Sequence, residues 1–176
     1  DRNRSQIQHI DQTADWLAMV KPGVMVLAHT ASSYTLGRAG EAELMARMQA
    51  RHGIPFLTAF SSVIAAFAHI GVKRVALGAP YAEETTLQGK ALLEAHGIDV
   101  VSHGRLKNVT NIYDETEERA YALAKSVDIP EAEAVFLSGV GLPTLSVLGV
   151  LEQDLGKPVI SSVAALTWAA LRAVKV

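Results

Sequence analysis

The sequence predicts an α/β fold in which parallel strands are covered by helices on both faces. Three observations carry that expectation. Short apolar runs alternate with amphipathic stretches, Gly or Pro marks most of the boundaries, and one strand–helix–strand unit recurs later in the chain.

Taken in order, Asp1 to Val20 reads as a polar helix, and Val24 to Ala28, after Lys21-Pro22-Gly23, as a buried strand. Glu41 to Arg51 carries Leu44, Met45 and Met48 at helical spacing and stops at Gly53. Ile54 to Thr58 is the next strand, with Pro55 near its start, where a missing N–H is tolerated. Ser61 to Ile70 is an apolar helix closed by Gly71, and Arg74 to Gly78 is a strand running into Pro80-Tyr81. A helix from Thr85 to His96, a strand from Ile98 to Ser102 and a helix from Glu115 to Ser126 follow. Ala134 to Ser138, a helix from Pro143 to Leu155, the strand Pro158 to Ser161 and a helix from Val163 to Val174 complete the alternation.

Val24 to His29 is matched by Ala134 to Gly139, Gly53-Ile54-Pro55 by Gly156-Lys157-Pro158, and Ser61 to Phe67 by Ala164 to Ala170. Any two βαβ units share some of this punctuation. Here strand, helix and strand recur in the same order with the same Gly-x-Pro entry, which favours duplication. Two lobes about a pseudo-twofold axis are expected, residues 1–60 plus 160–176 forming a partial first lobe and 61–159 the second. The chain opens at Asp1, without Met, inside a helix. An N-terminal segment, including the opening strand of the first lobe, is therefore expected to lie outside this sequence.

Composition excludes several function classes. Of 176 residues, 49% are hydrophobic and 19% charged, enough for a sizeable core and far from a disordered profile. Net charge is −2 with acids and bases mixed, so no basic cluster offers a nucleic-acid footprint. No apolar run approaches the ~18 residues of a membrane span, and no leader pattern opens the sequence. No membrane partner and a cytoplasmic location are the expectations. Cysteine is absent, which removes disulfides, thiolate metal sites and thiol nucleophiles.

Ligands of parallel sheets bind beyond the carboxyl ends of the strands. His29-Thr30-Ala31-Ser32-Ser33-Tyr34 follows one such end and reads as a turn rich in hydroxyls and amides around one imidazole. It suits a carboxylate and a proton transfer near neutral pH; polar residues also collect after strands simply because turns need them. Ser138-Gly139-Val140-Gly141 ends the matching strand of the second half, where bare backbone lets a ligand approach, or merely closes a tight turn. Tyr81 offers a phenol to an oxyanion, with packing beside Pro80 as the plainer alternative. Ser161 either lines the cleft or caps the following helix. His52, His69 and His96 suit helix C-termini, His9 lies on the polar first helix, and His103 is held in reserve. No metal-ligand constellation is present in the sequence.

Thr58 to Tyr81 and Phe136 to Trp168, with Leu142-Pro143-Thr144-Leu145 and Gly156-Lys157-Pro158-Val159-Ile160-Ser161-Ser162, resemble the aspartate/glutamate racemase superfamily, in its maleate cis-trans isomerase and arylmalonate decarboxylase branch. The resemblance runs from about Val20 to Val174. It implies two flavodoxin-like lobes with a small carboxylate between them and activity without metal or organic cofactor. It also implies that Thr30, Tyr81 and the amides around Gly139 and Val140 hold carboxylate or enediolate oxygens. His29 and Gly139 stand where the isomerases carry their two catalytic cysteines, and Ala31 stands where the decarboxylase has a Ser. Paired-thiol stereoinversion is therefore ruled out.

The leading expectation is a cofactor-independent lyase, of decarboxylase type, or an isomerase, working through an enolate-like intermediate with His29 as the single acid or base. A catalytically silent carboxylate-binding protein and a His29-assisted hydrolase are the alternatives. The apolar Ser61–Ile70 helix is compatible with a homodimer or higher homo-oligomer.

Overall fold

A computed structural model describes residues 2–175; Asp1, where the predicted first helix opens, and Val176 lie outside them. Helices and parallel strands alternate throughout. A helix α1 (Arg2–Ala18) leads to strand β1 (Met25–Leu27), helix α2 (Thr30–His52) and strand β2 (Phe56–Thr58). Helix α3 (Ala59–Ile70), strand β3 (Arg74–Ala79), helix α4 (Glu83–Ala95) and strand β4 (Asp99–Arg105) follow. After a 3-10 turn at Ile112–Asp114 come helix α5 (Glu117–Val127), strand β5 (Ala134–Leu137), helix α6 (Leu148–Leu155), strand β6 (Val159–Ser161) and helix α7 (Ser162–Ala173).

The strands form two parallel sheets, β1-β2 and β4-β3-β5-β6. Strand β6 pairs over its full length with β5, from Val135↔Val159 to Leu137↔Ser161. The inner strands β3 and β5 of the larger sheet are buried on both faces, which is why β5 reads as an unbroken apolar run with no polar alternation. Phe60, Val63 and Phe67 of α3, Leu92 and Leu93 of α4 and Ala165 of α7 fill one face around Leu77 and Phe136. Ala120, Leu123 and Val127 of α5 and Leu151 of α6 cover the other around Val135 and Leu137. Each large side chain so buried contributes roughly 1.5–3 kcal/mol. The smaller sheet packs Met25 and Phe56 against Ile10 and Ala14 of α1 and Leu44 and Met48 of α2.

Two expectations are corrected. The stretch His29–Tyr34 is not a free turn. Helix α2 begins at Thr30, kinks at Gly37 (φ 68°) and only then continues into the predicted Glu41–Arg51 segment. The helix expected from Pro143 begins at Leu148, because Gly139 (φ 99°) turns the chain after β5 and residues 139–147 run as successive turns.

Helix α3 starts in a capping box, Ser61 N–H donating to Thr58 Oγ1 at 2.9 Å and Thr58 N–H to Ser61 Oγ at 3.1 Å. The Thr58 hydroxyl in turn donates to the buried carboxylate of Glu41, tying β2 to α2.

Helices α2 and α4 meet at Gly89, where a Cβ would stand 2.7 Å from the Tyr34 ring. Alanine in a helix interior ordinarily gains about 0.5–1 kcal/mol over glycine. Against this ring the overlap outweighs that gain, and Gly89→Ala is expected to destabilise by ~1–3 kcal/mol, read as a lowered Tm. A raised Tm contradicts the packing described.

Candidate active site

Register brings the strand ends together. Leu77 pairs with Phe136 and Gly78 with Leu137, so Pro80-Tyr81 after β3 lies beside Ser138-Gly139 after β5. Ser138 N–H continues the ladder to Gly78 O at 2.8 Å. Leu137 pairs with Ser161, which sets Ser162 against the same turn. Leu106 N–H, donating to Ala79 O at 2.9 Å, starts a strap of residues 106–116 across this edge. Arg119 holds the base of the strap, donating to Lys107 O at 2.6 Å and pairing with Glu115 at 2.9 Å.

A cleft of about 230 Å³ opens between these segments. His29, Thr30 and Ala31 line it from the start of α2, Tyr81 from the end of β3, Val140 and Gly141 from the turn after β5, and Ile112 and Tyr113 from the strap. Five of the residues singled out in the sequence, His29, Thr30, Ala31, Tyr81 and Val140, thus share one opening.

Three others do not line it. Ser32 is fully buried and bonds to His29 instead, its Oγ 2.8 Å from Nδ1. Ser161 is buried at the N-cap of α7, accepting from Ala164 N–H at 3.3 Å, so of its two readings the cap holds. Gly139 lies beneath the cleft floor, and its amide is already engaged, donating to Ser162 Oγ at 3.1 Å. The amide there is therefore not the spare donor that the sequence suggested. His103 stands inside β4, exposed, and not beyond a strand.

Gly139 also has no room for a side chain. A Cβ would meet Pro80 Cγ and Ile112 Cδ1 at 2.9 Å and the Tyr81 hydroxyl at 3.3 Å. The positive φ adds strain for any L side chain.

The donors of the cleft are neutral. Thr30 Oγ1 is buried and has no hydrogen-bond partner, a costly state for a hydroxyl that a ligand oxygen would relieve. At the start of α2 the Ser32 N–H donates to His29 O at 3.3 Å, whereas helix geometry gives the Thr30 and Ala31 N–H groups no intrahelical acceptor and His29 does not cap them with its side chain. Burial pushes the Tyr81 phenol up to about 12, while the nearby Ser138 and Thr30 hydroxyls pull the other way. Thr30 stands close enough to oppose the shift without an aligned hydrogen bond to the phenol. Tyr81 therefore keeps its proton across the neutral range and acts as a donor. No lining residue is Lys, Arg, Asp or Glu. Among the described residues, no three His, Asp or Glu side chains gather in a way that could hold a metal ion. Among them, too, no helix is long and apolar enough to cross a membrane.

The strap is what sequence reasoning missed. Val109 to Tyr113 have no periodicity to mark them, and the usable signal was position: a long polar connection leaving the carboxyl end of a strand.

The family model for arylmalonate decarboxylase matches residues 3–176. The chain belongs to the arylmalonate decarboxylase family. It is 31% identical over 157 residues to the arylmalonate decarboxylase of Bordetella bronchiseptica, covering 85% of this chain and 64% of that protein. It is 28% identical over 133 residues to the maleate isomerase of Geobacillus stearothermophilus, covering 73% of this chain and 53% of the isomerase. The chain thus spans between about half and two thirds of the length of these relatives. A crystal structure of a double mutant of arylmalonate decarboxylase in liganded form superposes with a TM-score of 0.93 at 26% identity, over 98% of this chain and 75% of that one. A maleate cis-trans isomerase from Nocardia farcinica gives 0.93 at 21% identity, over 99% and 74%, a likeness of fold alone.

For this member of the arylmalonate decarboxylase family, two outcomes follow from the geometry. Gly139→Ala is expected to lose ~1–3 kcal/mol in thermal denaturation, from the strained φ and the contacts with Pro80 and Ile112; full retention of Tm contradicts them. A phenol whose pKa is raised in the folded state binds its proton more tightly there than in the unfolded chain. The stability it contributes is present below about pH 10, the ordinary tyrosine value, and is lost as pH rises towards about 12. Tyr81→Phe should flatten the fall of Tm between pH 10 and 11.5, and parallel curves for the two proteins would count against the burial of that phenol.

Proposed function

We propose that the chain belongs to an enzyme that decarboxylates a small malonate-type dicarboxylic acid through an enediolate, with this chain's own side chains moving the proton. The observation that carries the reading is the unpartnered, buried hydroxyl of Thr30, a residue that lines the same cleft as His29 and Tyr81. A carboxylate oxygen would satisfy Thr30, the α2 amides and Tyr81 together. Loss of the second carboxylate as carbon dioxide breaks its bond to the α-carbon and leaves the electron pair on that carbon and the held carboxylate. The negative charge grows on oxygens already facing these donors, which are worth on the order of 3 kcal/mol each when well placed. Protonated His29 then gives its proton to the α-carbon and recovers one from water. Ser32 bonds Nδ1, so transfer falls to Nε2. The 31% identity to a decarboxylase over most of the chain favours lyase over isomerase chemistry. Isomerisation is the second reading, favoured by the likeness to maleate isomerases. The whole protein's substrate is part of the same proposal.

Thermal shift with mono- and dicarboxylates, followed by NMR in deuterated water, tests this. Conversion should release carbon dioxide and leave one deuterium on the α-carbon. His29→Ala is expected to cut kcat about 100-fold or more while the carboxylate still raises Tm. Undiminished turnover in that variant removes His29 from the reaction. Conversion of maleate with no carbon dioxide would replace decarboxylation by isomerisation.

A further inference from the structure

A second phenol stands behind that of Tyr81. Tyr34, early in α2, is 5% exposed and packs in the cluster that holds Phe60, Val63 and Phe67. Such surroundings suit phenylalanine, and a hydroxyl is tolerated there only when it is bonded. Its partner is Ser138 Oγ at 2.7 Å, itself fully buried. The Tyr34 ring also meets Tyr81 edge-on, with centroids 6.1 Å apart and an interplanar angle of 87°. The Tyr81 hydroxyl in turn sits over Gly139, the residue after Ser138. Three hydroxyls therefore run inward from the cleft: Tyr81, Ser138 and Tyr34.

Direction along this row follows from satisfaction of donors. Were Ser138 to donate to Tyr34, the Tyr34 proton would face apolar packing without an acceptor. An orphaned donor is rarer than an oxygen with a spare lone pair. Tyr34 therefore donates to Ser138, which leaves the Ser138 proton for the neighbouring Tyr81 oxygen, close by without an aligned hydrogen bond in this structure. A phenol that accepts a hydrogen bond donates its own proton more strongly.

We infer that Tyr34 is a positioning residue which, through Ser138, fixes and polarises the Tyr81 phenol as a donor to the substrate's oxygen. The inference rests on the carboxylate reading above for the identity of that acceptor, while the row of hydroxyls does not depend on it. Difluorotyrosine at position 81 brings the phenol's ionisation into a range where the folded protein can be followed by fluorine NMR. Tyr34→Phe keeps the ring and removes one hydroxyl. It is expected to raise the position-81 midpoint by about half a pH unit, and Ser138→Ala by more. In the chain with its natural Tyr81, Tyr34→Phe should lower kcat about fivefold to tenfold with KM within about twofold, as loss of a donor's strength at the transition state does. An unchanged or lowered midpoint overturns the inference, because a Ser138 released from Tyr34 would then be the better donor to position 81. A raised midpoint with kcat unchanged overturns the positioning role. If the midpoint rises but the unsubstituted chain converts no carboxylate, the hydroxyl row stands and the functional reading fails.

Discussion

At Gly139 the backbone touches groups from three other parts of the fold: Pro80 and Tyr81 beyond β3, Ile112 of the strap, and Ser162 at the start of α7. None of these contacts would exist without the parallel register of β3, β5 and β6, which ends the strands at one level. That register is enforced by apolar burial on both faces of the sheet, where a slip of one residue would exchange the two packed surfaces. The cleft therefore inherits its shape from the core. Beneath it, position 139 stays bare because a side chain there would displace the wall contributed by β3 and the strap together.

A cleft without Lys or Arg holds an anion differently from one built on salt bridges. Hydroxyls, amides and a protonated phenol offer hydrogen bonds but no full charge, and the start of α2 adds only the partial positive charge of a helix terminus. Ground-state attraction is modest in such a site, and the donors gain most when charge collects on a single oxygen. That difference between ground state and transition state is what accelerates a reaction. For the proposed reaction, protonation of Tyr81 across the neutral range serves the same end, since a phenolate would repel the growing charge.

Much of this was legible in the sequence, and the gaps have physical causes. The alternation of apolar runs with Gly and Pro punctuation marks every strand, most plainly β3 and β5, which are buried on both faces and have no polar alternation to blur them. His29, Thr30 and Tyr81 stood out as polar groups directly after such runs. The start of α2 did not, because Thr30-Ala31-Ser32-Ser33 combines residues that favour caps and turns, and helix formation there comes from packing. Once the helix is known, the three-residue spacing of His29 and Ser32 explains their bond. Ser161 and Ser162 were ambiguous by nature, since a capping serine and a cleft serine look alike until the register of β6 decides. The strap left no periodic trace, and Tyr34 reads as ordinary core until its hydroxyl is followed to Ser138.

The two turns that face the cleft differ in what they supply, and that difference bears on the chemistry. The turn after β1 brings an imidazole fixed by Ser32 and an unsatisfied hydroxyl, both carried on the first residues of a long helix. The turn after β5 brings Val140 and Gly141 and no titratable group, with its first amide already engaged by Ser162. Within these segments, a proton can come from the side of α2 but not from the turn at Gly139. In the proposed reaction, proton traffic would be confined to one wall, leaving the Tyr81 phenol for the developing charge. A site divided in this way would separate the group proposed to move the proton from the groups proposed to hold the charge, so that each is positioned by its own part of the core.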